Sequence, residues 1–529
     1  MMQAESELST QEMDDTTNAL MMISLDDTTQ NEIGDLIIDE TNVATSALMN
    51  PLYSVRPVYT LWADLGAPFL GKQTKLIFSE VMTCGMLTPK GFGLATFHPK
   101  LAQNVKIVSP LWPCELPEFL PQNFTAARPK IAPHLEELEV NIDSSFLPEL
   151  HKMWRSKSHR FTNLRKITIT VSLSYDENAG TILTASYPAM ENVKTISIKM
   201  TNQFDNKQDE MAASICQKLL NATPNLQEVE MEASFYLDFA PSKKLTKLTY
   251  TFVQFFEHDF MEEPVLIEID KISEMLECCR ESSLTELTLR HVGEGIIDYE
   301  EDENDMQQTL SLPSFPKLTR LSISSMDFYH LGDYLSTAHL PNLTHVSLAI
   351  NFKQFVSLSD IFAHIRHPHV GVTSLHLDAA HDGDEDHVGI GTEILRLFPA
   401  VKTLQLKLTV SAFVQVEGDV AIRILKRTLR NFAPWELTSA LVEMKYVRSS
   451  DFVMGTMQGL KRWKGLAHTE VRLCGIDRLP FVLGDDVKEV LLASRSVKSI
   501  KMLGLLMEAE KDEFQRFIEE NGLQISLSE

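Results

Sequence analysis

Leu135-Glu-Glu-Leu138-Glu-Val140, Leu284-Thr-Glu-Leu287-Thr-Leu289, Leu318-Thr-Arg-Leu321-Ser-Ile323 and Leu343-Thr-His-Val346-Ser-Leu348 are four copies of one line, Leu-x-x-Leu-x-Leu, usually led in by Pro or Asn. Looser copies start at Leu164, Val193, Leu226, Leu245, Val372, Val401, Leu441, His468 and Val497. These thirteen starts leave twelve intervals; five of them are 29 residues and the mean is about 30. A fixed period of this length points to stacked units. The last apolar pair alternates as in a strand with one buried face, and the Leu three positions earlier packs at the bend leading in. The remaining twenty-odd residues carry the chain back before the next strand can stack. One unit cannot bury its apolar face alone, so the units bury it in one another.

The intervals read as helices. Met211, Ile215, Leu219 and Leu220 have helical spacing, as do Ile269, Ile272, Met275 and Leu276, and Val420, Ile424, Leu425 and Leu429. Pro224, Pro399 and Pro434 follow and lead towards the next strand. Strand plus helix at this period resembles the leucine-rich repeat in its long, irregular form. The expected fold is α/β: a solenoid with a parallel sheet on its concave face and helices on its convex face, preceded by a small three-helix bundle.

Length and composition narrow the function. The chain has 529 residues, 44% hydrophobic, enough for a long quasi-one-dimensional core. A net charge of −25 argues against general affinity for nucleic acid or anionic membrane. Six cysteines without paired spacing argue against a disulfide framework or zinc site and for a reducing compartment, cytoplasmic or also nuclear. The start lacks a charged leader, with no Lys or Arg before Arg56, and no apolar run reaches transmembrane length.

Residues 1–30 are acidic and uncompensated, so the expectation is a disordered tail. Residues 31–71 carry three short apolar sets with helical spacing, the last at Leu52, Val55, Val58, Leu61, Trp62 and Leu65. Within it, Arg56-Pro-Val58-Tyr-Thr-Leu-Trp62 followed by Gly66-Ala67-Pro68-Phe69-Leu70 resembles the last third of an F-box. Residues 72–132 hold two first strands, around Lys75–Phe78 and Asn104–Ile107, and a Pro-rich stretch from 108 to 133 that reads as an irregular connection. The repeats run over 133–505. Residues 506–529 read as a C-terminal capping helix from Glu508 to Asn521, ended by Gly522.

Chemistry-bearing motifs are few. His381-Asp-Gly-Asp-Glu-Asp-His387 is the most metal-like cluster, but its order matches no calcium loop and no helical His pair, and a solvated loop is the expected reading. No phosphate loop, nucleophile elbow or kinase signature is present. The expectation is no catalytic site, no cofactor and no metal, but a binding surface.

The resemblance to F-box proteins with leucine-rich repeats implies a substrate-recognition adaptor of a Skp–cullin–F-box type ubiquitin ligase. Its bundle would dock on the Skp-type linker subunit through Leu52, Val55, Val58, Trp62 and Pro68, while the repeats hold a protein substrate. The alternative is a repeat scaffold with no ubiquitin role, whose bundle merely caps the stack. On the concave face, the fifth position of each motif gives Glu139, Thr168, Ser197, Glu230, Thr249, Thr288, Ser322, Ser347, His376, Gln405, Lys445, Arg472 and Lys501. The row ends in three cations, a candidate basic ladder for an acidic or phosphorylated partner segment, with His376 nearby. The competing expectation is that Glu443 and Glu470 pair with these cations and neutralise them.

Overall fold

A computed structural model describes residues 66–68, 70–73, 75–79, 81–83, 86–88, 99–108, 122–156, 160–172, 185–201, 206–254, 269–293, 312–324, 335–349, 365–381, 390–410, 419–447, 449–475, 484–506 and 508–528. The acidic tail and the bundle up to residue 65 lie outside these. The chain divides into two units at Leu245/Thr246. In both, the parallel strands lie side by side in the order in which the chain makes them.

The first unit contains β1 (Leu76–Ser79), β4 (Asn104–Val108), β5 (Glu137–Asp143), β6 (Lys166–Ser172), β7 (Thr195–Thr201) and β8 (Glu228–Ala233), with a separate antiparallel hairpin, β2 (Val81–Thr83) and β3 (Met86–Thr88). Leu76 pairs with Val105, the expected spacing for the first two strands. The second unit contains β9 (Lys247–Gln254), β10 (Glu286–Gly293), β11 (Arg320–Ser324), β12 (His345–Ala349), β13 (Ser374–His381), β14 (Thr403–Val410), β15 (Ser439–Val447), β16 (Thr469–Gly475), β17 (Ser499–Leu503) and β18 (Ile525–Ser528).

One hydrogen-bond pattern sets the register of the stack. The amides of the second and third motif residues both donate to the carbonyl of the second residue one repeat earlier. Arg165 and Lys166 donate to Glu136, Lys194 and Thr195 to Arg165, Thr319 and Arg320 to Thr285, and Lys402 and Thr403 to Thr373, at 2.7–3.1 Å. Side chains repeat the device. Asn192, Asn225 and Asn342, each just before a lead Leu or Val, give Nδ2 to the carbonyls of Thr162, Glu191 and Pro316 at 2.6–2.8 Å. Thr285, Thr319 and Thr344 give Oγ1 to the carbonyls of Thr246, Thr285 and Thr319. Backbone carbonyls at these bends are thus satisfied by the neighbouring repeat. This is the physical reason for Asn at the lead-in.

Burial alternates along strands such as β5, with Leu138, Val140 and Ile142 inward; β9 and β14 instead carry two buried residues in succession, Phe252 and Val253, and Leu408 and Thr409. The helices supply the other half of the core. Ile215, Leu219 and Leu220 of Asn206–Ala222, Ile272 and Leu276 of Ile269–Cys278, and Ile424, Leu425 and Leu429 of Asp419–Arg430 are buried. The helices therefore fall where the spacing placed them, although Val420 of the third set is 38% exposed and outside the core. The architecture is α/β, a long parallel sheet with helices in the connections.

Three expectations need correction. The Pro-rich stretch is not wholly irregular, because Gln122–Ile131 is a helix with Phe124, Ala127 and Ile131 buried; Pro129 lies inside it and removes the one N–H that would reach the carbonyl of Thr125. The C-terminal helix Glu508–Asn521 ends as expected at Gly522 (φ 61°), but it is not the last element. Leu523 is buried and Ile525–Ser528 adds strand β18 beside β17, so this helix is the connection of one more repeat. The repeat placed at Leu441 starts instead at Leu437. Thr438 and Ser439 donate to Lys402 O, and Gln405 pairs with Leu441, not Lys445. The run Ala440-Leu441-Val442 offers several frames to a pattern search. The helix layer selects one: Trp435 is buried, stacks on Phe432 at 5.2 Å and gives its Nε1–H to Phe398 O.

The first unit also buries His151, whose Nδ1 lies 2.9 Å from the Tyr187 hydroxyl. Desolvation, then the charges of Lys218 and Arg155, hold this imidazole below its ordinary value of 6.5. A lowered folded value means the unfolded chain takes the proton more readily. The associated stability is present above pH 6.5 and is lost as pH falls below it. Urea midpoints should therefore fall between pH 7.5 and 5.5, a window in which ordinary carboxylates barely titrate, and fall less in His151→Gln. An identical pH slope in the two proteins would show that His151 is not the group.

Candidate functional site

The open face of the sheet is built by the residues between the buried ones. In the first unit the fifth-position row runs Lys106, Glu139, Thr168, Ser197, Glu230, as the spacing predicts. Glu139 is desolvated, which raises its carboxyl, but hydrogen bonds from Lys106 (2.7 Å) and Lys75 outweigh this and hold it low. In the second unit the row runs Thr249, Thr288, Ser322, Ser347, His376, Gln405, again as predicted.

At β15 the predicted row breaks. Gln405 is followed by Leu441, Glu470 and Ser499, while the next outward row is Asp378, Lys407, Glu443, Arg472, Lys501. Lys445 lies two positions further along β15. The three cations are not a ladder, because the frame set by Leu437 shifts Lys445 away from Arg472. Only Arg472 and Lys501 are direct register neighbours. From Asp378 to Arg472 the row alternates in sign instead, which favours its own pairing across strands.

The pairing with Glu443 and Glu470 is present. Glu470 Oε1 accepts from Arg472 Nε at 2.8 Å and from Lys501 Nζ at 3.0 Å. Glu443 lies 3.9 Å from both Lys445 Nζ and Arg472 Nη1. The hydrogen bonds from Arg472 and Lys501 hold the Glu470 carboxyl below the usual range, and Glu470 in turn raises the Arg472 guanidinium. The acids sit lower than the bases: Glu443 and Glu470 side chains are 13% and 24% exposed, against 32%, 36% and 42% for Lys445, Arg472 and Lys501. Carboxylates pinned near the sheet thus hold cationic heads towards solvent.

His376, beside this network, is half-buried. Its Nδ1 lies 3.0 Å from Ser347 Oγ, and desolvation, then Lys407, lowers its imidazole. Desolvation raises the Asp378 carboxyl. Neither His376 Nε2 nor Asp378 Oδ1 has a hydrogen-bond partner among the described residues. Ser347, His376 and Asp378 therefore do not form a hydrolytic relay, in which the carboxylate must hold the imidazole.

Of the predicted docking residues, Leu52, Val55, Val58 and Trp62 lie outside the described residues. Pro68 is described: it belongs to a helical segment tied to the start of the stack. Gln103 Nε2 donates to Pro68 O at 2.9 Å, and Asn104 Nδ2 donates to Lys72 O at 2.9 Å. Of the His381–His387 cluster only His381, at the end of β13, is described. Among the described residues no group of three or more His, Cys, Asp or Glu side chains is placed to hold a metal ion, and no helix is long and apolar enough to cross a membrane.

Reasoning from the sequence missed Asp378 and Lys407 as members of the charged row. It set the last three cations in the wrong row: Lys445 stands four positions past Leu441, and Arg472 and Lys501 stand two past Glu470 and Ser499. No protein-family model matches the chain, and no curated protein matches it either.

Proposed function

We propose that this chain binds a protein partner on the open face of its parallel sheet, as a leucine-rich-repeat module, and that it serves as the substrate-recognition adaptor of a Skp–cullin–F-box type ubiquitin ligase. The observation that carries the binding reading is the one-sided burial of strands β5 to β8, β11 and β12. The alternate positions left outside the core form rows of hydroxyl, amide and charged side chains. Such an adaptor performs no chemistry; it raises the local concentration of substrate lysines beside the ubiquitin-loaded enzyme. The ligase part rests on the F-box resemblance of residues 56–70.

The experiment is co-purification of the tagged full chain with the Skp-type linker subunit. Recovery of the linker is expected, and its loss when Leu52 and Val58 are both changed to Asn, with the repeat region still folded by circular dichroism. No recovery with the wild type, or recovery that survives the double change, would favour the second reading, a scaffold with no ubiquitin role. Two contacts speak for that alternative: the hydrogen bonds of Gln103 and Asn104 to Pro68 and Lys72 tie those two residues to the stack as a cap would be tied.

A further inference from the structure

We infer that the adjoining ends of the helices Asp419–Arg430 and Ser450–Leu460 form a basic docking surface for a short acidic segment of a protein partner. This surface belongs to the helical connections and not to the strand rows, so it goes beyond the function proposed above.

The sequence segregates charge here. No Asp or Glu stands between Asp419 and Glu436 or between Asp451 and Glu470, in a chain that holds 73 acids against 48 bases. Cations in the last turn of a helix complement its dipole, which accounts for Arg427 and Arg430 taken alone. It does not account for a second set of cations brought against them.

Packing brings the two sets together. A Cβ at Gly459 would stand 3.2 Å from Lys426 Cα and 2.7 Å from Leu429 Cβ, so the two helices approach to backbone contact. Buried Trp463 gives its Nε1–H to Leu429 O at 2.7 Å and so pins the turn Lys461-Arg462-Trp463 against the end of the first helix. Lys426, Arg427, Arg430, Lys461 and Arg462 are all exposed, and none has a hydrogen bond or ion pair among the described residues. Lys464, by contrast, reaches Glu436 at 3.4 Å. Lys426 and Arg430, four apart on one helix, repel each other. An anion shared among the five cations would relieve that repulsion.

The size of the patch selects the partner. Lys426 to Arg430 covers about 6 Å of helix axis, and packed helix axes lie about 8–10 Å apart. An extended segment of about three to five residues spans this. A nucleic-acid duplex or an anionic leaflet extends much further. It would bring its charge against a chain whose total is −25, where screening reaches only about 8–10 Å. A short run of carboxylates stays on the cations, and the forks of Arg427, Arg430 and Arg462 suit carboxylates bidentately.

The test uses the full chain and a fluorescein-labelled peptide with a short run of Glu between Gly and Ser, read by anisotropy. Its Gln counterpart, a DNA duplex and phosphatidylserine vesicles are run beside it. The Glu peptide should bind at least about ten-fold more tightly than the Gln peptide, with affinity falling as salt rises. Arg427→Gln combined with Arg462→Gln should weaken it by about ten-fold or more. Both side chains are exposed, so this variant should keep the wild-type circular dichroism. Arg472→Gln combined with Lys501→Gln, on the strand rows, should leave the affinity unchanged. Four results would overturn the inference: no binding of the Glu peptide, equal binding of the Gln peptide, unchanged binding by the helix variant, or an equal loss in the strand variant. Tighter binding of the duplex or the vesicles would overturn the assignment to a protein segment. Linker co-purification is independent of these readouts, so failure here with the linker retained would remove the patch and leave the adaptor reading in place.

Discussion

Replacing Leu321 with Asp is expected to unfold the second unit at ordinary temperature. Leu321 is 1% exposed on β11, in register between Leu287 and Val346, so its side chain is walled by repeats on both sides. Removing it forfeits about 1.5–3 kcal/mol of apolar transfer. The carboxylate that replaces it would stand among the buried Leu287, Ile323 and Val346 and must either stay charged in an apolar layer or take up a proton. Together these exceed about 4–5 kcal/mol, against a typical total of about 5–15. Ser322→Asp, one residue along and on the open face, is the control and should cost under about 1 kcal/mol. Thermal melts followed by circular dichroism decide it. Equal transitions for the two variants would mean that the register is wrong.

Gly459→Leu should come close in severity, for a different reason. The helix Ser450–Leu460 crosses Asp419–Arg430 on a glycine face. A Cβ at Gly459 would stand 2.7 Å from Leu429 Cβ, 3.1 Å from Leu425 O and 3.2 Å from Lys426 Cα; at Gly455 it would stand 3.0 Å from Ile422 Cα. Glycine inside a helix costs about 1 kcal/mol relative to alanine, so two in one turn imply that close approach is worth more. Leucine must push the helices apart and so disturb Trp463, whose Nε1–H reaches Leu429 O at 2.7 Å. We expect a loss of about 3 kcal/mol or more, read from the urea midpoint of the full chain. A midpoint within error of the wild type would show that the two helices are not held at this distance.

Much of the fold was legible because its repeating unit is local. The Leu-x-x-Leu-x-Leu line places a bend and two inward residues within six positions. That short-range pattern located the strands from Leu135 to Val401, the open-face rows Glu139 to Glu230 and Thr249 to Gln405, and the helices following Met211, Ile269 and Val420. The acid–base pairing of Glu443 and Glu470 with Lys445, Arg472 and Lys501 was also foreseeable from their spacing, as one of two alternatives. Where the apolar run admitted more than one frame, as at Ala440-Leu441-Val442, local pattern was insufficient. A slip of even one residue exchanges the two faces of a strand, and one of four keeps the alternation but moves every side chain to another row. Contacts some thirty residues apart resolved it: Thr438 and Ser439 on Lys402 O, and Trp435 on Phe398 O. The tertiary structure alone decided that Lys445 leaves the row of Arg472 and Lys501, and that Tyr446 stands outward on a bulge, because both depend on which strand residue faces which neighbour, and that is a property of the stack and not of any one repeat.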